Sequence, residues 1–316
     1  MALGDLHILP KFRDGLSYLY VEHCRVEQEG KAVALWDARG VTPVPCASLA
    51  LLLLGPGTQI SHAAVKALAD CGCLAAWCGE EGVRFYASGT GETRSSRNLQ
   101  KQVLLWAREE TRMKVVRTMY AMRFGEVVPD TLSLQQLRGR EGARMRDAYQ
   151  RIAQETGVPW SGRQYDRNSW NSADPVNRVL SAANSCLYGV CHAAIVSLGY
   201  SPALGFIHTG KQLSLVYDLA DLYKVETTIP VSFETVREGT TPLERTARIR
   251  LRDRFRETRL LERIVSDLDA LFGSVDLAPQ DVGLMDPDED MAAPGGLWNG
   301  DGQVLGGVCY EASDGP

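Results

Sequence analysis

The chain has 316 residues, 45% of them apolar, and its 34 Lys and Arg against 39 Asp and Glu give a net charge of −5. This length allows about two domains of ~150 residues with real hydrophobic cores, which excludes collagen-like, disulfide-scaffold and disordered classes. The negative total argues against a nucleic-acid partner, because polyanions are bound mainly by Lys and Arg.

The charge is distributed unevenly along the chain. Residues 264–316 hold 11 of the acidic residues and no Lys or Arg, so residues 1–263 carry 34 basic residues against 28 acidic ones, a net charge of +6. Such asymmetry indicates a polyanion-binding body with an acidic extension. Nucleic acid therefore returns as a candidate partner.

The sequence predicts neither a membrane segment nor a disulfide framework. Residues 1–13 lack the apolar centre of a signal peptide, and the longest apolar run, Leu49–Leu54, is far shorter than the ~20 residues of a membrane span. We expect a cytoplasmic protein. The eight cysteines include no Cys-x-x-Cys pair, so we interpret them as small buried residues, with a structural metal cluster as the alternative.

Two kinds of periodicity divide the chain. Short β-rich segments at 16–21, 32–36 and 49–54, with one helix capped by Ser61, predict a small, largely antiparallel sheet. Beyond Arg94, apolar residues recur every three or four positions, which is typical of helices. We therefore predict an α+β fold. Its expected parts are an N-terminal β-domain (1–90), a larger, mainly α-helical catalytic domain (91–275) and an acidic, disordered tail (276–316).

Two segments combine acidic side chains with helical spacing. Glu141 stands among arginines, and Arg138 and Arg144, each three positions away, would share its helix face. An ordinary surface ion pair is the alternative. Asp218 and Asp221 lie at i and i+3 of a short helix, where we expect them opposite the buried apolar face.

A histidine in a glycine-framed loop, His208, directly precedes that short helix. Carboxylates from Glu and Asp together with one imidazole suit Mg²⁺ or Mn²⁺ in an open coordination sphere. Such ions stabilise charge in phosphodiester transfer or cleavage. Convergence is a hypothesis, because some 67 residues separate Glu141 from His208.

Basic and aromatic side chains surround these segments. Arginines at three- and four-residue steps predict one positive stripe along a helix over 244–263. Basic stripes with nearby rings follow a phosphate backbone and stack unpaired bases, although each tyrosine alone fits a core position equally well.

Several short segments together are specific to one family. They are Pro-Gly-Thr at 56–58 with Ser-His-Ala-Ala at 61–64, Gly-Val-Arg-Phe-Tyr-Ala-Ser-Gly at 82–89, Gln-Leu-Arg-Gly at 136–139 with Glu-Gly at 141–142, Ser-Cys-Leu-Tyr-Gly at 185–189, and Gly-Phe-Ile-His-Thr-Gly-Lys at 205–211 followed by Tyr-Asp-Leu-Ala-Asp at 217–221. Through them the chain, over residues 5–275 or so, resembles the CRISPR-associated integrase family, the endonuclease/integrase subunit of spacer acquisition, in its subtype I-E branch.

The resemblance implies a metal-dependent DNA integrase. Glu141, His208 and Asp221 would be the ligands of Mg²⁺ or Mn²⁺, and Asp218 would be a neighbouring catalytic acid. The β-domain would form a homodimer, and two such dimers would flank one dimer of a small ferredoxin-like companion protein. The assembly would hold double-stranded DNA with 3′ overhangs, whose 3′-hydroxyl attacks a phosphodiester of the CRISPR repeat. No ATP site is needed, and the sequence has no Gly-x-x-x-x-Gly-Lys-Ser/Thr motif.

The resemblance also implies a set of DNA contacts. Phosphates would be bound by Arg84, Arg138, Lys224, Arg245 and Arg248, and the single-stranded overhang would be lined by Tyr165, Tyr188, Lys211 and Tyr217. Relatives place a tyrosine wedge at the duplex fork where this chain has His23, whose imidazole stacks less broadly than a phenol, with Tyr20 as a possible substitute. Gln59 stands where a basic residue is expected.

Two other functions stay open on the sequence. A stand-alone structure-specific nuclease acting on branched DNA would use the same residues with water as the nucleophile. A non-catalytic DNA-binding scaffold would need none of them for chemistry.

Overall fold

The computed structural model describes residues 19–30, 32–46, 49, 51–79, 85–89, 96–163 and 174–275, and the strand pair at 297–298 and 303–304. Two four-stranded sheets, with strand orders β1-β5-β7-β8 and β4-β3-β2-β6, precede a helical region. This arrangement confirms the α+β prediction. The first eight strands are β1 (Leu19–Val21), β2 (Arg25–Glu29), β3 (Ala32–Asp37), β4 (Gly40–Val44), β5 (Leu51–Leu54), β6 (Gln59–Ile60), β7 (Leu74–Cys78) and β8 (Phe85–Gly89).

The prediction of a largely antiparallel sheet is confirmed for the second sheet and is wrong for the first. The β1–β5, β5–β7 and β2–β6 pairs are parallel, while β2–β3, β3–β4 and β7–β8 are antiparallel. Helix α1 (His62–Asp70) supplies the crossover that a parallel connection from β5 to β7 requires. The Ser61 hydroxyl accepts the backbone N–H of Ala64 and confirms the predicted cap.

Strand β5 is buried on both faces. Leu51 and Leu53 belong to the main helical core, whereas Leu52 and Leu54 belong to the core shared by the second sheet and α1. Because successive strand residues point to opposite faces, a run of four leucines fills two cores at once. Each of the four side chains is at most 3% exposed.

The second region is helical, and its last four helices pack against α5. Its helices are α2 (Arg97–Ala107), α3 (Glu109–Phe124), α4 (Leu134–Thr156), α5 (Pro175–Ser197), α6 (Ser214–Ala220), α7 (Thr228–Glu238), α8 (Leu243–Glu257) and α9 (Leu260–Gly273). Helix α5 is apolar and long enough to cross a membrane, but 83% of its apolar window is buried inside the fold, as in a core helix. Gly189 lets it approach the first sheet, since a Cβ there would lie 2.9 Å from a methyl of Leu51.

Two details of the helical prediction change. The arginine-rich helix expected over 244–263 is two helices, α8 and α9, separated at Arg259, which has a left-handed φ of +49°. The arginine stripe is therefore interrupted. In the acidic tail, Leu297–Trp298 (β9) and Gln303–Val304 (β10) form an antiparallel pair.

The cysteines behave as small apolar residues. Within the described ranges, seven are free thiols and all but Cys71 are buried. Burial raises the pKa of Cys46 to about 11 and that of Cys78 to about 12, so both thiols stay protonated at neutral pH.

Candidate metal and DNA-binding site

The glycine-framed loop that carries His208 is held from α2 and α3. The Gln102 amide donates to the carbonyls of Ser201 and Leu204, and the Trp106 indole donates to the carbonyl of Gly205. The Arg112 guanidinium donates two hydrogen bonds to the carbonyl of Phe206. Three side chains about a hundred residues upstream thus fix the loop's backbone.

Asp218 organises the loop from within the core. Its carboxylate accepts backbone N–H groups of Phe206 at 2.6 Å, Ile207 at 3.0 Å and His208 at 2.9 Å, and it lies 2.7 Å from Nδ1 of His208. The expectation that Asp218 lies on the helix face opposite the buried one is wrong, because the residue is 0% exposed. A carboxylate that accepts several backbone donors can remain charged inside a protein.

Gly205 is the glycine that this arrangement requires. A Cβ there would lie 2.4 Å from the carbonyl oxygen of His208 and 2.7 Å from backbone and side-chain atoms of Ser214. The loop therefore closes tightly enough on the start of α6 to exclude every other residue at this position.

Arg123 joins the separate acidic segments. Its guanidinium lies 4.0 Å from Oε1 of Glu141 and 3.5 Å from Oδ2 of Asp221, and it donates a hydrogen bond of 3.0 Å to the carbonyl of Asp218. The side chain is only 2% exposed. The structure thus brings Glu141 and Asp221 to opposite sides of one buried cation, as their expected convergence requires.

Each of these two carboxylates also has a second cation. Arg144 makes a bidentate pair with Glu141, at 2.8 and 3.0 Å, and Nζ of Lys224 lies 2.7 Å from Oδ1 of Asp221. Burial raises the pKa of Asp221, but Lys224 and Arg123 more than offset it and hold that pKa below its ordinary value. For the cation Lys224, burial lowers the pKa instead, but the nearby Asp221 outweighs burial and raises the pKa of Lys224 above its ordinary value.

The donor set suits a hard divalent cation. Glu141 and Asp221 lie on either side of Arg123, and the contact of His208 Nδ1 with Asp218 leaves Nε2 as the nitrogen for a ligand. Among the described residues, no group of three Asp, Glu, His or Cys side chains lies close enough together to hold a metal ion in the present side-chain arrangement. Two carboxylates and an imidazole are donor types that Mg²⁺ or Mn²⁺ accepts, and in this structure Arg144 and Lys224 hold the two carboxylates.

Aromatic rings border the acidic cluster. Tyr188 and Tyr217 meet edge to face with centroids 5.1 Å apart, and Nζ of Lys224 lies 5.1 Å from the centre of the Tyr188 ring. The Tyr217 ring also lies 5.9 Å from that of His208. Lys211 is exposed at the end of the same loop. Tyr188, Tyr217 and Lys211, which were expected at the overhang, and Lys224, which was expected at a phosphate, therefore belong to the segments that carry or adjoin the candidate metal ligands.

A second group of expected DNA contacts lines a groove of about 770 Å³ between the first strands and α8. His23, Arg245 and Arg248 are among its walls. Arg248 is 5% exposed, with its guanidinium 4.5 Å from the centre of the Tyr20 ring, so it packs within the fold. The Tyr20 hydroxyl donates to Glu22 at 2.7 Å. Tyr20 is thus held in place and does not present a free ring as a substitute wedge.

The remaining expected contacts are scattered. Arg138 is exposed on α4, and Gln59 lies in β6. Arg84 and Tyr165 lie outside the described residues. His23 is exposed with a left-handed φ of +48°, and its ring lies against Gly57, where a Cβ would be 2.4 Å from Nδ1.

Sequence reasoning missed Arg123. The signal was present, because Arg123 continues the helical spacing of Val116, Met119 and Tyr120, all buried. A charge on the buried face of a helix needs a partner of opposite charge. The pattern therefore pointed to an acidic group inside the fold.

Comparisons with known proteins agree with the resemblance. The family model described as CRISPR associated protein Cas1 matches residues 120–258. A CRISPR-associated endonuclease Cas1 of Thermus thermophilus is 54% identical over 311 residues, 98% of this chain and 94% of that protein. The CRISPR-associated endonuclease Cas1 of Escherichia coli is 42% identical over 84% of this chain and 88% of its own length.

Solved structures give the same result. The structure of a TtCas1–DNA complex superimposes with a TM-score of 0.81 at 50% identity, covering 93% of this chain and 100% of that one. A casposase bound to an integration product, at 13% identity and a TM-score of 0.62 over 88% of this chain and 96% of that one, shares the fold. By sequence and structure, the chain belongs to the Cas1 family of CRISPR-associated endonucleases.

Proposed function

We propose that the protein is a metal-dependent DNA integrase and endonuclease of CRISPR adaptation, which inserts short foreign DNA into a repeat array. The observation that carries this proposal is that the buried Arg123 lies between Glu141 and Asp221 and also binds the backbone of Asp218, the residue that orients His208. The relative whose solved complex contains DNA supports DNA as the substrate.

We assign Glu141, His208 and Asp221 to holding Mg²⁺ or Mn²⁺. When bound, such an ion polarises the phosphodiester and stabilises the negative charge that develops on the attacking and leaving oxygens. Asp218 acts through His208, because it holds the ring nitrogen Nδ1 and the loop backbone in one orientation. His208 itself is 44% exposed, so it can reach a ligand at the surface.

The DNA surface extends from this site in two directions. Tyr188, Tyr217 and Lys211 border the carboxylates, where an unpaired 3′ strand would enter and stack on rings. Exposed Arg245 and His23 line the groove beside α8, which we assign to the duplex. Arg84, Arg138 and Tyr165 complete the proposed contacts.

The proposed assembly follows the resemblance. A homodimer formed through the β-domain (1–90), with residues 91–275 as its catalytic part, would bind a small ferredoxin-like companion protein, two dimers to one companion dimer. We place the chain in the subtype I-E branch and in the cytoplasm, with residues 276–316 as an acidic tail. The identity of 42% to the Escherichia coli relative supports the kinship but leaves the subtype as part of this proposal.

Joining of a duplex with a free 3′-hydroxyl to a repeat-bearing plasmid, with Mn²⁺ and the companion protein, tests the function. Glu141→Gln, His208→Ala and Asp221→Asn should abolish joining. Glu126→Gln is the matched control, since Glu126 is an exposed carboxylate paired with Arg140. Undiminished joining by the His208 or Asp221 variant would contradict the assignment.

Cleavage and binding assays on the same proteins separate the two alternative functions. Cleavage of branched DNA without joining and without a companion would favour a stand-alone nuclease. Mn²⁺ affinity that does not change when the three proposed ligands are lost, with DNA binding intact, would favour a non-catalytic scaffold.

A further inference from the structure

The cations around the acidic cluster fall into two kinds. Arg123 is 2% exposed and is tied to a backbone carbonyl, whereas Arg144 and Lys224 are 27% and 17% exposed at the rim. The two rim cations nonetheless make the closer contacts, at 2.7 to 3.0 Å, with the carboxylates proposed as metal ligands. The buried cation is fixed, and the rim cations are on long side chains that can turn away.

Charge counting shows why the rim cations matter. Glu141, Asp218 and Asp221 carry three negative charges, and Arg123, Arg144 and Lys224 carry three positive ones. The cluster is therefore neutral as it stands, and a divalent cation would bring an uncompensated charge of two into a mostly buried site. Nearby DNA phosphates would supply the missing negative charge.

The carboxylate oxygens of Glu141 and Asp221 also show that the rim cations and a metal ion would compete. Arg144 occupies both oxygens of Glu141, and Lys224 occupies Oδ1 of Asp221, so the pairs compete directly with metal coordination. Guanidinium and ammonium groups bind phosphate oxygens as readily as carboxylates. Both groups can thus exchange one anion for another without losing a partner.

We propose that Arg144 and Lys224 are exchangeable cations that couple metal binding to DNA binding. In the free protein they neutralise Glu141 and Asp221, and in the complex they turn to DNA phosphates and leave the carboxylates to the metal. Arg123 stays between the carboxylates in both states and keeps them in place. This inference rests on the proposed function, and it adds Arg144 to the residues that bind DNA.

Reciprocal binding measurements on the full chain test the coupling. Mn²⁺ affinity is measured by calorimetry with and without a duplex that has 3′ single-stranded overhangs, at constant ionic strength. The wild-type protein should bind Mn²⁺ about tenfold more tightly with DNA present, and Mn²⁺ should tighten DNA binding by the same factor. Joining activity does not enter this measurement.

Two variants and a control locate the effect. Arg144→Gln and Lys224→Gln should each bind Mn²⁺ more tightly than wild type without DNA, and together should reduce the coupling to less than about twofold. Arg140→Gln, on the same helix but paired with Glu126, should keep the wild-type coupling. Should a glutamine variant unfold, Arg144→Lys, which keeps the charge but loses the bidentate fork, should give an intermediate coupling.

The salt dependence of DNA affinity gives a second readout. Each cation released to a phosphate steepens the slope of log affinity against log salt by ~0.9, so Mn²⁺ should steepen the wild-type slope by almost two units. In the Arg144→Gln variant the increase should fall by half.

Failure of this inference and failure of the proposed function look different. Equal coupling in wild type and in both glutamine variants, with Mn²⁺ binding still abolished by Glu141→Gln, would overturn the exchange and leave the metal site standing. Mn²⁺ binding that Glu141→Gln does not change would overturn both.

Discussion

Replacement of Asp218 by asparagine tests the central geometric argument. One carboxylate oxygen of Asp218 accepts the N–H groups of Phe206 and Ile207, and the other faces the N–H and Nδ1 of His208. Asparagine keeps the shape but offers one oxygen. In one amide orientation the N–H groups of Phe206 and Ile207 face an NH₂ group, and in the other the N–H of His208 does, because Nδ1 of His208 can accept from the amide in its other tautomer. Each buried donor left unsatisfied costs ~1–3 kcal/mol, so one or two such donors give a total of ~1–6 kcal/mol.

Thermal unfolding and Mn²⁺ binding together measure the consequence. At ~2 °C or more per kcal/mol, Asp218→Asn should lower the Tm by at least ~2 °C. Mn²⁺ affinity should also fall, because His208 loses its orientation. Asp253→Asn is the control, since Asp253 is exposed and pairs only with Arg252 among the contacts seen, and should leave both quantities unchanged. A wild-type Tm in Asp218→Asn would refute the reasoning.

Three further predictions address other parts of the fold. Gly205→Ala should displace the His208 loop and abolish joining. Gly139→Ala, where a Cβ meets nothing within 4 Å, should instead raise the free energy of unfolding by up to ~1 kcal/mol. Equal behaviour of the two variants in joining and thermal unfolding would contradict this prediction. Burial lowers the pKa of His192 to about 4, so the stability that its neutral form contributes is complete above pH ~6.5 and should fall by ~3 kcal/mol towards pH 4. Urea unfolding across this range should show a shallower acid dependence in His192→Gln, and an unchanged slope would exclude the effect. Arg248→Ala should lower the Tm because this side chain is 5% exposed, whereas Arg245→Ala should weaken DNA binding at an unchanged Tm; the reverse pattern would show that Arg248 serves DNA alone.

The sequence predicted the order of the parts and the members of the acidic cluster, because periodicity and residue type are local properties. Strand direction was predicted wrongly for the first sheet, since a short apolar strand such as β5 has the same sequence pattern whether its neighbours run parallel or antiparallel. The burial of Asp218 was missed for a related reason. Helical spacing separates faces, but it cannot show that a loop ten residues upstream covers the polar one.

The arginine stripe failed through backbone geometry. The left-handed backbone of Arg259 separates the two helices. The residue type does not indicate this break, because arginine rarely adopts a left-handed conformation. Several of the expected stripe members instead pair with acidic neighbours, as Arg263 does with Glu226. Spacing counted along one ideal helix therefore overestimated the positive surface.

The leucines of β5 make the first sheet and the helical core mechanically continuous. Leu51 and Leu53 rest on α5, and the same helix carries Tyr188, whose ring lies under the ammonium group of Lys224. We therefore expect that a partner that displaces the first sheet would also displace α5, and with it the Tyr188 ring beside the acidic cluster. A polypeptide made of residues 91–275 alone would have an uncovered apolar stripe on α5, and we expect it to aggregate.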